Sequence, residues 1–169
     1  ATAGRYMEIM APWLFTMWKS APTLAMGNTL VFKPASYTPL SALEFARIVS
    51  ESEVPPGVVN VVTGTGSGVG TALCRHPGVD KISFTGSTEV GRTVQKLTAD
   101  TVKRLTLELG GKSANVVFDD AYLELAAEGA VFACFFNSGQ SCEAGTRLLV
   151  QDGIYDEFMD LLLKKIKLI

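Results

Sequence analysis

The chain has 169 residues and a formal net charge of −2, from 15 Lys+Arg against 17 Asp+Glu. Hydrophobic residues make up 47% and charged ones 19%, enough apolar side chain for a core, which excludes a disordered tail. The near-neutral balance excludes broad electrostatic capture of nucleic acid or anionic lipid, and the length predicts one domain, or one and part of another.

In chain order, Thr29–Lys33 is a short β-rich run and predicts a strand. Leu40, Leu43, Ala46, Ile48 and Val49 recur at helical spacing and predict a helix over 39–52, with Thr38 as candidate cap. Pro55-Pro56-Gly57 breaks the chain. Val58–Val62 reads as a second strand, Gly64–Gly70 as a glycine-rich turn, and Thr71–Arg75 as a short helix. Lys81–Phe84 is a third strand, and Thr85-Gly86-Ser87 turns into a helix over Thr88–Thr98. Leu105–Leu109 and Ala114–Phe118 read as strands, Ala121–Phe136 as an Ala-rich helix and Arg147–Val150 as a strand. A last helix starts at Asp156. Strand alternating with helix predicts an α/β fold with a parallel sheet and crossover helices. A domain seam is expected near Gly110-Gly111, where two glycines permit a sharp change of direction.

No N-terminal stretch joins a basic flank to a long apolar run, so neither a signal peptide nor a membrane span is expected. Cys74, Cys134 and Cys142 are a sparse, odd set, expected as reduced thiols in a cytoplasmic setting rather than as a disulfide framework. Both ends read as cut: the chain opens on Ala1, and the pattern Leu161–Ile169 stops without a cap.

Three features carry chemistry. Gly64, Gly66, Gly68 and Gly70 follow a strand and precede a helix, which suits either backbone N–H groups approaching a phosphate or a tight turn with no ligand. Phe84–Gly91 repeats the arrangement: Ser87 stands at a helix start, either as a phosphate donor or as an ordinary N-cap. Ligands of open α/β sheets bind beyond the carboxyl ends of the strands. Cys142 lies in the polar, glycine-flanked loop Asn137–Gly145, as a reactive thiol or an inert loop thiol. Cys134, within Phe132–Phe136, has the apolar neighbourhood of a structural cysteine. The one histidine, His76, precedes Pro77 in an expected surface loop, which argues against a Cys–His hydrolase. Glu108 is the better base: burial would raise its pKa into a useful range, whereas the solvent face of an edge strand would leave it ordinary. No Cys/His cluster has metal-ligand spacing, so no metal site is expected.

Together, Phe32-Lys33-Pro34-Ala35-Ser36, Phe84-Thr85-Gly86-Ser87-Thr88-Glu89-Val90-Gly91, Leu107-Glu108-Leu109-Gly110-Gly111-Lys112 and Gly139-Gln140-Ser141-Cys142 resemble, in order and approximate spacing, the aldehyde dehydrogenase superfamily. The resemblance implies a Rossmann-like cofactor domain over 1–110 and the start of an α/β catalytic domain over 111–169. It implies that Cys142 adds to an aldehyde carbonyl as a thiohemiacetal, that hydride passes to the nicotinamide of NAD or NADP, and that Glu108 activates the water that hydrolyses the thioester. Lys33 would bind the adenosine ribose. Gly66 and Gly70 would lie by the adenosine and pyrophosphate, and Gly86 and Ser87, within Phe84–Gly91 with Thr88 and Glu89, at the diphosphate. Pro12 and Trp13 match the stretch lining the dinucleotide groove, and Val90 the adenine-side contact. The parent protein would be a homo-oligomer acting on a small aldehyde, without nucleic-acid or membrane partners.

The sequence departs from the family pattern in three ways. Leu14 stands where the family has an Asn that helps stabilise the oxyanion, and losing one such donor typically costs about 10²–10³ in rate. Ser36 stands where NAD-preferring members often carry Glu, which removes a charge that would repel a 2′-phosphate. The family's chains are also much longer, so the alternative is a non-catalytic remnant with residual nucleotide binding. A partial sheet would expose strand edges and apolar surface, making the isolated segment aggregation-prone.

Overall fold

The computed structural model describes residues 12–169. Contacts divide the chain into two compact units, the first ending at Leu109 and the second spanning Gly110–Ile169.

The first unit opens on a helix, α1 (Pro12–Ala25), absent from the expected elements. Its buried face carries Phe15 together with the polar Thr16 and Ser20. Each hydroxyl bonds back one turn, Thr16 to the Pro12 carbonyl at 2.7 Å and Ser20 to that of Thr16, so neither is buried unsatisfied. Trp13 meets Phe45 edge to face, ring centroids 6.4 Å apart, where α1 packs on the second helix.

Two strand–helix–strand units follow. In the first, β1 (Leu30–Phe32) and β2 (Val59–Val61) pair in parallel across α2 (Leu40–Ser50). The cap residue of α2 is Pro39 rather than Thr38. The first helical bond runs from Leu43 N–H to the Pro39 carbonyl at 3.0 Å, which makes Pro39 the cap residue and leaves Thr38 outside the helix. A short turn over Gly66–Gly70 then leads into α3 (Thr71–Arg75). In the next unit, β3 (Lys81–Thr85) and β4 (Arg104–Glu108) pair in parallel, Thr85 opposite Glu108, across α4 (Thr88–Thr98). Gly91, Val94 and Thr98, at i, i+3 and i+7, are the buried face of α4.

The second unit repeats the pattern with β5 (Ala114–Val117), α5 (Leu123–Phe135) and β6 (Arg147–Val150), then ends on α6 (Tyr155–Ile166). Its core is Val117, Ala127, Ala130, Phe158 and Leu162, with Phe158 fully buried. Small alanines on α5 let α6 approach closely and seat the Phe158 ring.

The α/β class and the parallel pairing agree with the expectation. In place of one sheet, however, the described residues form three two-stranded parallel sheets, each closed by its own crossover helix. No helix among them is long and apolar enough to cross a membrane.

Candidate active site

Each parallel pair of the first unit carries expected site residues at its carboxyl end. Lys33 follows β1 directly. Its ammonium donates to the Pro34 carbonyl at 2.7 Å and to the Gly64 carbonyl at 3.4 Å. The Ser36 hydroxyl donates to the same Gly64 oxygen at 3.1 Å. A cation and a hydroxyl therefore converge on the first residue of the glycine-rich loop. Gly64 holds φ +147°, and a Cβ there would lie 2.5 Å from Val69 Cγ2, so only glycine fits. Within the loop, Thr65 Oγ1 accepts from Gly68 N–H at 3.0 Å. Open space surrounds Gly66, and a Cβ on Gly70 would just touch Lys33 Cε, at 4.0 Å. This donor set, one ammonium and one hydroxyl beside an open glycine loop, fits the ribose and phosphate oxygens of a dinucleotide. The cleft between Pro12, Phe15, Lys19 and Lys33 has a volume of about 20 Å³, room for about one water. Trp13 is exposed beside it.

At the second pair, Gly86 N–H donates to the Glu108 carbonyl at 3.0 Å, tying the turn after β3 to the end of β4. Ser87 caps α4: its Oγ accepts from Val90 N–H at 3.3 Å. The capping expectation therefore holds in the structure. Thr88 and Glu89 are exposed in the first turn of α4, and Val90 is half-buried. Gly91 faces inward, where a Cβ would meet Leu109 Cδ2 at 2.6 Å, so it is a packing position in this unit. Glu108 is exposed. The alternation Leu105, Leu107, Leu109 leaves Glu108 on the outward face, the solvent-facing alternative of the two expected for it.

In the second unit, Cys142 lies between α5 and β6, at the amino end of the β5–β6 pair. The approach is strained. Asn137, Ser138 and Gly139 hold φ of +54°, +57° and +72° in succession, and the first two pay the steric cost of a left-handed residue with a Cβ. A Cβ on Gly139 would lie 3.2 Å from the Cys134 carbonyl, a tight approach on top of its left-handed φ. Cys142 is half-buried, and its Sγ donates to Glu143 Oε2 at 3.0 Å. Burial first, then this hydrogen bond and the adjacent negative charge, push the thiol up to about 11. Bonds from the Cys142 thiol and the Ser141 hydroxyl hold the Glu143 carboxyl below its ordinary value. Glu143 is the neighbour that the motif reading missed, although a carboxylate beside a thiol was legible in the sequence. No group of three or more potential metal ligands occurs among the described residues.

The sequence profile of the aldehyde dehydrogenase family matches residues 10–169. The chain belongs to the aldehyde dehydrogenase family. It is 51% identical over 165 residues to an aldehyde dehydrogenase of Agaricus bisporus, covering 97% of this chain and 33% of that one. It is 50% identical over 153 residues to human retinal dehydrogenase 2, covering 88% and 30%. Among solved structures, lactaldehyde dehydrogenase aligns with a TM-score of 0.86 at 42% identity, covering 92% of this chain and 33% of that one. PnpE of Pseudomonas sp. WBC-3, in complex with nicotinamide adenine dinucleotide, aligns at 0.81 and 49% identity, covering 89% and 31%. An NADP-dependent enzyme of E. coli aligns equally well, at 0.81 and 49%, covering 88% and 31%. The chain thus spans about a third of the length of the aldehyde dehydrogenase relatives it matches.

Proposed function

We propose that this chain supplies the dinucleotide site and the nucleophile of an NAD(P)-dependent aldehyde dehydrogenase that oxidises an aldehyde to a carboxylic acid. One observation carries the reading. In a chain of this family, Lys33, the Gly64–Gly70 loop, Gly86-Ser87 and Glu108 all stand at or just beyond the carboxyl ends of parallel strands. That is where α/β folds bind nucleotides. Residues 1–110 serve the cofactor, and 111–169 open the catalytic part.

Lys33 and Ser36 hold the adenosine ribose, and Gly66 and Gly70 let the backbone approach the phosphates. Gly86, Ser87 and the first turn of α4, Thr88 to Val90, lie at the diphosphate and adenine, with Pro12 and Trp13 along the groove, while buried Gly91 serves by letting α4 pack closely on Leu109. When bound, the oxidised nicotinamide supplies the hydride acceptor. Cys142 Sγ forms the bond to the carbonyl carbon, and Glu108 takes a proton from the water that releases the acid. NAD and NADP both remain substrates of this site, because Ser36 places no carboxylate against a 2′-phosphate. The three free thiols support a cytoplasmic setting, and the family resemblance supports a homo-oligomeric parent protein.

A second reading, a non-catalytic remnant that retains nucleotide binding, is favoured by Leu14. It is 41% exposed and has no hydrogen-bonding group where an oxyanion donor belongs. The test is NAD(P)H formation with a small aldehyde before and after Cys142→Ala, alongside dinucleotide titration followed by tryptophan fluorescence. Turnover lost on substitution supports the first reading. Turnover that survives removes Cys142 as nucleophile. Binding without any turnover supports the remnant.

A further inference from the structure

Cys142 and Glu143 are the central residues of a tight turn closed by the Ala144 N–H to the Ser141 carbonyl at 3.3 Å. This turn brings two adjacent side chains together, with Cys142 Sγ 3.0 Å from Glu143 Oε2. Both flanks are fixed. Upstream is the left-handed run Asn137–Gly139. Downstream, Gly145 N–H donates to the Ala133 carbonyl at 3.0 Å, and a Cβ on Gly145 would meet Asn115 at 3.1 Å. The Ser141 hydroxyl joins the Glu143 carboxylate from the same turn.

We propose that Glu143 is a positioning residue that holds resting Cys142 as a neutral thiol turned onto its own loop, and that the thiol becomes a nucleophile when this hydrogen bond is broken. The inference rests on Cys142 being the nucleophile of the proposed reaction. A carboxylate stabilises S–H as a donor and repels S⁻, so the contact favours the protonated form. Lys112, just ahead of β5, donates to the Gly111 carbonyl at 3.0 Å, and Arg147, the first residue of β6, donates to the Lys112 carbonyl at 2.8 Å. Glu143 is a charged side chain in direct hydrogen-bond contact with the sulfur. Substrate binding or a turn of the Glu143 side chain into solvent frees the thiol, whose proton then passes to water or to an incoming base.

The test is alkylation of the 169-residue chain by iodoacetamide from neutral to strongly alkaline pH, resolved at each cysteine by peptide mass spectrometry. In the unsubstituted chain the Cys142 profile is expected to have its midpoint well above the ordinary thiol value of about 8.5. Glu143→Gln keeps size and removes charge. A midpoint lowered by about one unit raises the thiolate fraction about tenfold, and the weaker nucleophilicity of a less basic thiolate returns about threefold of that. The expected result near neutral pH is thus about threefold faster alkylation at Cys142, with half-buried Cys134 of the same unit unchanged as a check on folding. An unsubstituted midpoint near the ordinary value, or identical profiles for the two proteins, overturns the proposal. Should the Gln variant not fold, Glu143→Ser is read in the same way, since burial by itself also raises the unsubstituted midpoint. The readout needs neither aldehyde nor dinucleotide, so its failure leaves the dehydrogenase reading standing. Turnover surviving Cys142→Ala removes that reading without touching the Cys142–Glu143 contact.

Discussion

Replacing Phe158 by Ala tests the packing on which the Cys142 loop depends. Phe158 is 0% exposed and sits among Val117, Ala127, Ala130 and Leu162. Truncating a buried Phe to Ala typically costs about 3–5 kcal/mol, because transfer energy is lost and the cavity collapses only in part. The unit Gly110–Ile169 has 60 residues, and at roughly 0.05–0.15 kcal/mol per residue its whole stability is of order 3–9 kcal/mol. One side chain thus accounts for about a third or more of what holds β5, α5, β6 and α6 together. Phe158→Leu keeps most of the volume and is expected to cost about 1.5 kcal/mol or less. Peptide-resolved hydrogen exchange is the assay, with alkylation of Cys134 on α5 as a second reporter. Phe158→Ala should collapse protection over β5, α5 and β6 and expose Cys134, while Phe158→Leu should keep both. Unchanged exchange in the Ala variant would refute the claim that this core organises the unit.

Gly91→Val should lower the melting temperature. Even the first added carbon meets Leu109 at 2.6 Å, and overpacking typically costs about 1–3 kcal/mol; a thermal melt checks it. Ser36→Glu should weaken NADP binding relative to NAD by adding a charge opposite the 2′-phosphate, and paired titrations with the two dinucleotides would show no such split if the ribose lies elsewhere. Because the folded-state pKa of Cys142 is raised, its contribution to stability is present below the unfolded value of about 8.5 and fades as pH climbs towards about 11. Chemical denaturation across that alkaline window should therefore show a loss that Cys142→Ser reduces. Leu125, Phe132 and Phe136 are 64%, 66% and 52% exposed, so the chain should self-associate with rising concentration, against which a sharp monomeric boundary in sedimentation would count.

Much of the architecture was legible before any coordinates. Apolar runs of β-branched residues separated by helical-period segments placed six strands and four of the five longer helices. The Ser87 cap followed from a small hydroxyl between strand and helix. Helix α1 was not legible. Its buried face includes Thr16 and Ser20, whose hydroxyls bond to the helix itself and so mimic apolar positions, and Pro22 reads as a breaker although the helix runs through it. The Thr38 cap was misplaced by one residue, because Pro39 already supplies the first accepting carbonyl.

Sequence alone determined the family. Motif order along a chain is a one-dimensional property that four separated segments had to satisfy together, and the profile over residues 10–169 agrees. Only the tertiary structure decided the state of the reactive groups. Whether Glu108 is solvated, whether Ser87 spends its oxygen on a helix cap, and whether the Cys142 thiol is ionised or held by Glu143 depend on distances of a few ångströms between side chains. Proton affinities follow burial and neighbouring charge, and these are set by how the chain packs rather than by which residues it contains.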